Sequence, residues 1–331
     1  MTTANLAFAF LMIFSIIQNV AFSAPIEIKL GYLAPEGTHW DQDIRDMSAE
    51  IETATQSNIK FKLYPGGTAG DESDVLSKIK IGQLSGGMFT GKTLGDIYPD
   101  ARVFEIPFTF MSDNKKALKI LDKMTPLFES EIKKKGYTSL GMYEIGPVYL
   151  GSTKEVSDIN SMKGLKVWTW QGDKVAEALI KTLELISESL PLPEVISYLS
   201  SGTINAAYAP PLGITALQWH TKFKYIVNYP VAYSIGSLII SNKVWNKISA
   251  PEQTKILSIA KKYLNKSNTK TQDDNIKTLE SFAKMKIKMV DFPKSDLDKA
   301  AALRAKVVAQ LIPSFISQKT YDEFEKELKI Q

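Results

Sequence analysis

The chain has 331 residues, 44% of them hydrophobic, enough for two domains with a core each and too apolar for a disordered protein. Its 40 lysines and arginines against 36 acids leave a net charge of +4, scattered through helical segments rather than gathered in a stripe, which argues against a nucleic-acid partner. Cysteine is absent, which excludes a disulfide framework, thiolate chemistry and a lipid-bearing cysteine.

The chain opens on an apolar run of about a dozen residues, followed by the small residues Ala21 and Ser23 where a signal peptidase reads its site. Gln18 and Asn19 interrupt the run, which is shorter than the ~20 residues of a membrane span. Residues 1–23 are therefore expected to be a signal peptide, removed after Ser23, with a bacterial periplasm as the destination and no membrane insertion of the remainder.

The segment "IEIKLGYLAP" alternates like a strand and stops at Pro35, and Ile44, Met47, Ile51 and Ala54 then recur at helical spacing from Trp40 to Thr55. A strand in "IKFKLYPGG", a helix in "DESDVLSKIKIGQL" with Asp71 or a neighbour as its cap, and a strand in "SGGMFTG" follow. This alternation builds a parallel sheet with helices on its faces, and ligands of such sheets bind beyond the carboxyl ends of the strands. Those ends supply His39, Trp40, Thr68, Asp71, Phe89, Thr90 and Lys92.

A lysine-rich helix from Asn114 to Gly136 precedes "YTSLGMYEIGPVYLGSTK", two apolar runs joined at Gly146 and Pro147 that read as a crossover. A second alternation runs from "SMKGLKVWTW" through a helix capped at Gly202 to "NAAYAPP", then two strands with an aromatic link. Beyond Pro251 nearly all is helical, and the charged stretch from Glu252 to Lys286 reads as a solvated face.

The expected fold class is α/β, bilobed, with two mixed sheets flanked by helices, hinge strands and long C-terminal helices. Lobe I takes residues 24–146, with 234–250 returning to it. Lobe II takes 147–233, and 251–331 brace both lobes. A cleft between lobes is the natural ligand site.

Catalytic patterns are missing. His39 and His220 are the only histidines and are not at zinc spacing. No G-x-S-x-G or G-x-G-x-x-G occurs, the glycine pairs at 66 and 86 are not read as phosphate cradles, and Asp71 and Glu72 read as acids complementing a helix start. No cofactor or metal is expected, and an enzyme is the weaker class. What remains is aromatic: Trp40, Trp168, Trp170, Trp219, Phe89, Tyr149, Tyr208 and Tyr233 fall at strand ends or in loops facing the cleft. Residues 168 and 170 of a strand share a face; Trp168 is expected to wall the ligand, and Trp170 reads equally as core or cleft.

The blocks "IKLGYLAPEGTHW", "YPGGTAGDESDVLSKIKIGQLSGG", "RVFEIPFTFMSDNKKALKIL" and "MKGLKVW…PLPEVISYLSSGTINAAYAPP", in this order, resemble the DctP-type extracytoplasmic solute-binding proteins of tripartite TRAP transporters along nearly the whole chain. The resemblance implies a two-lobed receptor that closes on a small organic acid. It would hand the ligand to a small and a large membrane subunit, driven by an ion gradient.

In that family the residue two after the lysine of "GLK" is typically an arginine clamping the ligand carboxylate. Trp168 stands there, and Val148 and Tyr149 stand where a second arginine is often found. An indole lacks the guanidinium's fork of charged donors, so the expected ligand is neutral, zwitterionic or largely apolar. The rival is a carboxylate held by Lys92, Lys174 or Arg102, or by a metal ion on Asp71, Glu72 or Glu144; a periplasmic sensing module is a further alternative. The expected site comprises Trp40, Phe89, Thr90, Tyr149, Trp168, Tyr208, Pro210 and Gln218, with His39, Asp71 and Glu144 as further polar contacts.

Overall fold

A computed structural model describes residues 24–111 and 114–330; the expected signal peptide lies outside these residues. The alternation of Ile26–Gly31 (β1) buries Ile28 and Leu30 completely, as period-2 patterning on a half-covered sheet requires. β1 pairs in parallel with Ile59–Tyr64 (β2) on one side and Gly86–Thr90 (β3) on the other. Parallel neighbours need crossovers, and His39–Ala54 (α1) and Glu72–Lys80 (α2) provide them. Thr38 caps α1 by accepting from Asp41 N, while Asp71 and Asp74 form a reciprocal capping box on α2.

Gly91–Ile97 (α3) leaves the end of β3, and a 3-10 turn over Pro99–Glu105 leads towards Asn114–Lys134 (α4) and the long strand Tyr137–Ser152 (β4). The second half adds Lys166–Thr169 (β5), Lys174–Thr182 (α5), Ile186–Ser189 (β6), Val195–Ser201 (α6), Ala206–Ala209 (β7), Pro211–Ala216 (α7) and Tyr225–Val227 (β8). Ala232–Ser241 (β9), Asn242–Trp245 (α8), Ala250–Ser281 (α9), Lys288–Val290 (β10), Lys294–Leu297 (α10), Ala300–Leu311 (α11) and Gln318–Ile330 (α12) complete the described chain.

The strands run in the order β2-β1-β3-β9-β4-β7-β5-β6, with β8 on β4 and β10 on β8. β4 belongs to both halves. Tyr137 to Val148 pair antiparallel with β9, and Tyr149 to Ser152 pair with β7. The register of β4 slips between Glu144 and Gly146. Gly146 takes φ +110°, and a Cβ there would stand 2.5 Å from Asn275 Nδ2, so the slip depends on glycine. The apolar runs that read as two segments are thus one 16-residue strand passing between half-sheets.

The elements not anticipated include the short helices α3 and α8, α7, which follows Pro210 directly, and β10, which interrupts the C-terminal helices. The lysine-rich stretch does expose Lys261, Lys262, Lys266 and Lys270. Its other side is polar yet buried: α9 turns Ser267, Thr271 and Asn275 inward. Asn275 accepts from Leu212 N at 2.9 Å and donates to Ile145 O at 3.0 Å, joining the second half to the middle of β4. Among the described residues no helix is long and apolar enough to cross a membrane.

Candidate functional site

The carboxyl ends of β1, β3, β5 and β7 converge on a cavity between the half-sheets. Ala34, Thr90, Trp170 and Pro210, each just beyond or at the end of its strand, line it. This is the placement that parallel strands impose, because crossover helices cover the faces and leave the carboxyl ends open.

Its second-half wall is an aromatic stack. The Trp168 ring lies 4.6 Å from that of Trp170, 5.3 Å from Tyr208 and 5.4 Å from Trp219, edge-on or tilted as ring quadrupoles prefer. The indole N–H groups are used elsewhere: Trp168 donates to Leu190 O at 2.9 Å, Trp170 to Asp71 Oδ2 at 3.2 Å, and Trp40 to Thr271 Oγ1 at 3.0 Å. With these donors committed, the rings offer the cavity apolar surface.

The polar atoms on the other side of the cavity are mostly occupied too. Glu72 accepts from Thr90 N at 2.9 Å and Thr90 Oγ1 at 3.0 Å, Tyr143 donates to Phe89 O, and Ser234 donates to Glu105 Oε1. Among the described residues no lysine or arginine lines the larger cavity.

A second, smaller cavity adjoins it and contains the charges. Arg102, at the end of the 3-10 turn, donates through Nη2 to Asp173 Oδ1 at 2.7 Å, and its Nε lies 2.7 Å from Glu105 Oε2. Asp173 also caps α5, accepting from Val175 N and Ala176 N at 3.1 Å. With Trp170 on Asp71, this ion pair gives the two halves direct bonds across the cleft. Lys92 also lines this cavity and is paired with Asp96 at 2.7 Å.

Five expected site residues line the larger cavity: Trp40, Thr90, Trp168, Tyr208 and Pro210. The others do not. Phe89 and Tyr149 are core residues, at 0% and 8% exposure, because each faces away from the cleft on its strand. Gln218 is exposed on a left-handed turn after α7, which the missed helix swings outward. His39 sits behind Trp40, bonded to Thr271 and Asp274. Asp71 reaches the site only through the Trp170 N–H. Glu144 is turned to α9, where its N–H donates to Asn268 and its Oε2 accepts from Gln272 at 2.9 Å.

The two tryptophans also exchange emphasis. Trp168 is 1% exposed and its ring forms the floor of the cavity as part of the core. Trp170, just beyond β5, is half-buried and bridges the halves. The proposed metal ligands Asp71, Glu72 and Glu144 do not gather: no cluster able to hold a metal ion occurs among the described residues. Lys174 points outward, paired with Glu177. The sequence reading named Glu72 only as a metal ligand and passed over Tyr143 and Asp173 as cavity-lining residues; the capping patterns at Asp71 and Asp173, which fix where the following side chains point, were the available signal.

Burial pushes the Glu72 carboxyl up to about 7, against the lowering effect of its bonds from Thr90, and burial likewise pushes Glu144 up to about 7, against its bond from Gln272. Either group titrates near 4.5 when unfolded. Between pH 4.5 and 7 the folded form therefore holds the extra protons, and stability falls as pH rises through that window. Glu144→Gln is expected to flatten this dependence, sparing roughly 2 kcal/mol between pH 5 and 8 relative to wild type. Urea unfolding of both proteins across that range measures it, and parallel pH profiles would contradict the assignment.

The geometry agrees with the comparisons to known proteins. Residues 30–314 match the DctP family, described as bacterial extracellular solute-binding protein, family 7. The 2,3-diketo-L-gulonate-binding periplasmic protein YiaO of Escherichia coli K12 is 24% identical over 257 residues, 76% of this chain and 75% of that protein. The sugar acid binding protein DctPAm of Advenella mimigardefordensis, in complex with galactonate, superposes with a TM-score of 0.85 at 18% identity, covering 93% of this chain and 99% of that one. A TRAP periplasmic solute binding protein of Desulfovibrio salexigens with bound orotic acid gives 0.82 at 17% identity, covering 92% and 99%. A family match over most of the chain, on a fold whose strand ends meet in one interlobe cavity, places this protein in the DctP family of TRAP solute-binding proteins.

Proposed function

We propose that this protein captures a small organic ligand with a largely apolar or aromatic body and delivers it, in the periplasm, to the small and large membrane subunits of a TRAP transporter. Uptake is then driven by an ion gradient. The periplasmic location rests on the extracytoplasmic family and on the signal pattern of residues 1–23. Opening and closing would bend β4 near Gly146, where the strand leaves one half-sheet for the other.

The observation that carries the ligand reading is the larger cavity's wall: ring faces from Trp40, Trp168, Trp170, Tyr208 and Trp219, with no basic residue among the described ones. A carboxylate enclosed there would lose its hydration without gaining a partner. The similar binding proteins favour a second reading, since those structures hold acids such as galactonate and orotic acid. On that reading a carboxylate enters the smaller cavity and is held by Arg102 or Lys92.

Thermal-shift titration with a panel of phenyl and indole compounds beside galactonate, orotate and succinate separates the two. The phenyl and indole compounds are expected to raise the melting temperature and galactonate, orotate and succinate to leave it unchanged. The reverse pattern would establish the carboxylate reading.

A further inference from the structure

The two cavities share Thr90, Val148, Trp170, Tyr208 and Ser234, so they meet at a neck. Tyr208 stands in it with its ring tilted against Trp168, and its hydroxyl is buried without a hydrogen-bond partner. A buried hydroxyl in this state is unfavourable unless something that enters the site supplies the missing bond.

Beyond the neck the smaller cavity is lined by Lys92, Arg102, Glu105 and Asp173, two cations and two carboxylates. The Arg102 and Asp173 side chains are each only 4% exposed. These charges are already paired, Arg102 with Asp173 and Glu105 and Lys92 with Asp96, so a ligand head with one charge leaves that charge uncompensated in a buried site. A head with adjacent opposite charges adds no net charge: its carboxylate turns to Arg102 and Lys92, its ammonium to Glu105 and Asp173.

We propose that the ligand is a hydrophobic zwitterion, with its apolar body in the larger cavity, neighbouring ammonium and carboxylate groups in the smaller one, and the Tyr208 hydroxyl bonded to the head at the neck. This rests on the reading of the larger cavity as a receptor for an apolar body, and adds the chemistry of the head.

The test uses four probes with one phenyl body: L-phenylalanine, 3-phenylpropionate, 2-phenylethylamine and 2-phenylethanol. Calorimetric titration of the purified protein is expected to show L-phenylalanine binding about tenfold more tightly than any of the other three. Tyr208→Phe, which keeps the ring, is expected to lose about tenfold for L-phenylalanine and to change little for 2-phenylethanol. Equal affinities for all four heads, tightest binding of a singly charged probe, or unchanged L-phenylalanine binding by Tyr208→Phe would overturn the inference while leaving the apolar-body reading in place. Binding of galactonate with none of the four phenyl probes would overturn both, as would binding of no probe at all.

Discussion

Trp168→Ala is expected to destabilise the protein by about 3–5 kcal/mol, the usual cost of emptying a buried aromatic site. The indole is 1% exposed, packs in one cluster with Val195, Ile204, Ile214, Trp219 and Phe282, and donates to Leu190 O. Both the packing and the satisfied carbonyl are lost together. Trp168→Arg should be worse, because the guanidinium would enter this cluster without a carboxylate and lose its hydration. The expected result is a protein that fails to fold cooperatively, rather than one that gains affinity for carboxylates. Urea unfolding with far-ultraviolet circular dichroism reads both variants. A folded Trp168→Arg protein with wild-type stability would show that the floor of the cavity is looser than its packing indicates.

Arg102→Met is expected to cost about 3–5 kcal/mol as well, for an electrostatic reason: Glu105 and Asp173 remain buried without a cation. Burial holds the Glu105 carboxyl above its ordinary value even with Arg102 beside it to oppose the rise. Removing the charges together, as in Arg102→Met, Glu105→Gln, Asp173→Asn, should restore most of the loss, since asparagine can still cap α5. Because Arg102 and Asp173 come from opposite sides of the cleft, the single variant should also populate a more open form. Small-angle scattering of the unliganded protein would then give a larger radius of gyration. A cost below about 1 kcal/mol would mean the pair behaves as a solvated surface contact.

Much of the fold was legible because it is local. Alternation marks β1 and β2, helical spacing marks α1, and Asp71 and Gly202 stop or start helices by capping chemistry that sequence displays directly. α7 was hidden by the prolines at 210 and 211, which read as a strand's end although proline is also well suited to a helix's first turn. The site was half legible. Strand ends gave Trp40, Thr90, Trp168, Tyr208 and Pro210, but the inward or outward sense of Phe89 and Tyr149 depends on which face each sheet covers, a fact of tertiary packing. The pairing of Arg102 with Asp173 spans 71 positions, and neither residue's immediate neighbours announce it.

The polar inner side of α9 has a consequence for how such a receptor changes its cargo. Asn268, Thr271, Gln272 and Asn275 bond to Glu144, His39, Trp40 and the backbone at Ile145 and Leu212, tying one helix to both halves and to the bend we propose in β4. None of these four helix residues lines the larger cavity. The helix that ties the halves together is therefore a different stretch of chain from the aromatic wall of the cavity. On the function proposed above, a substitution at a position such as 208 would alter what the cavity accepts while leaving the ties made by α9 in place.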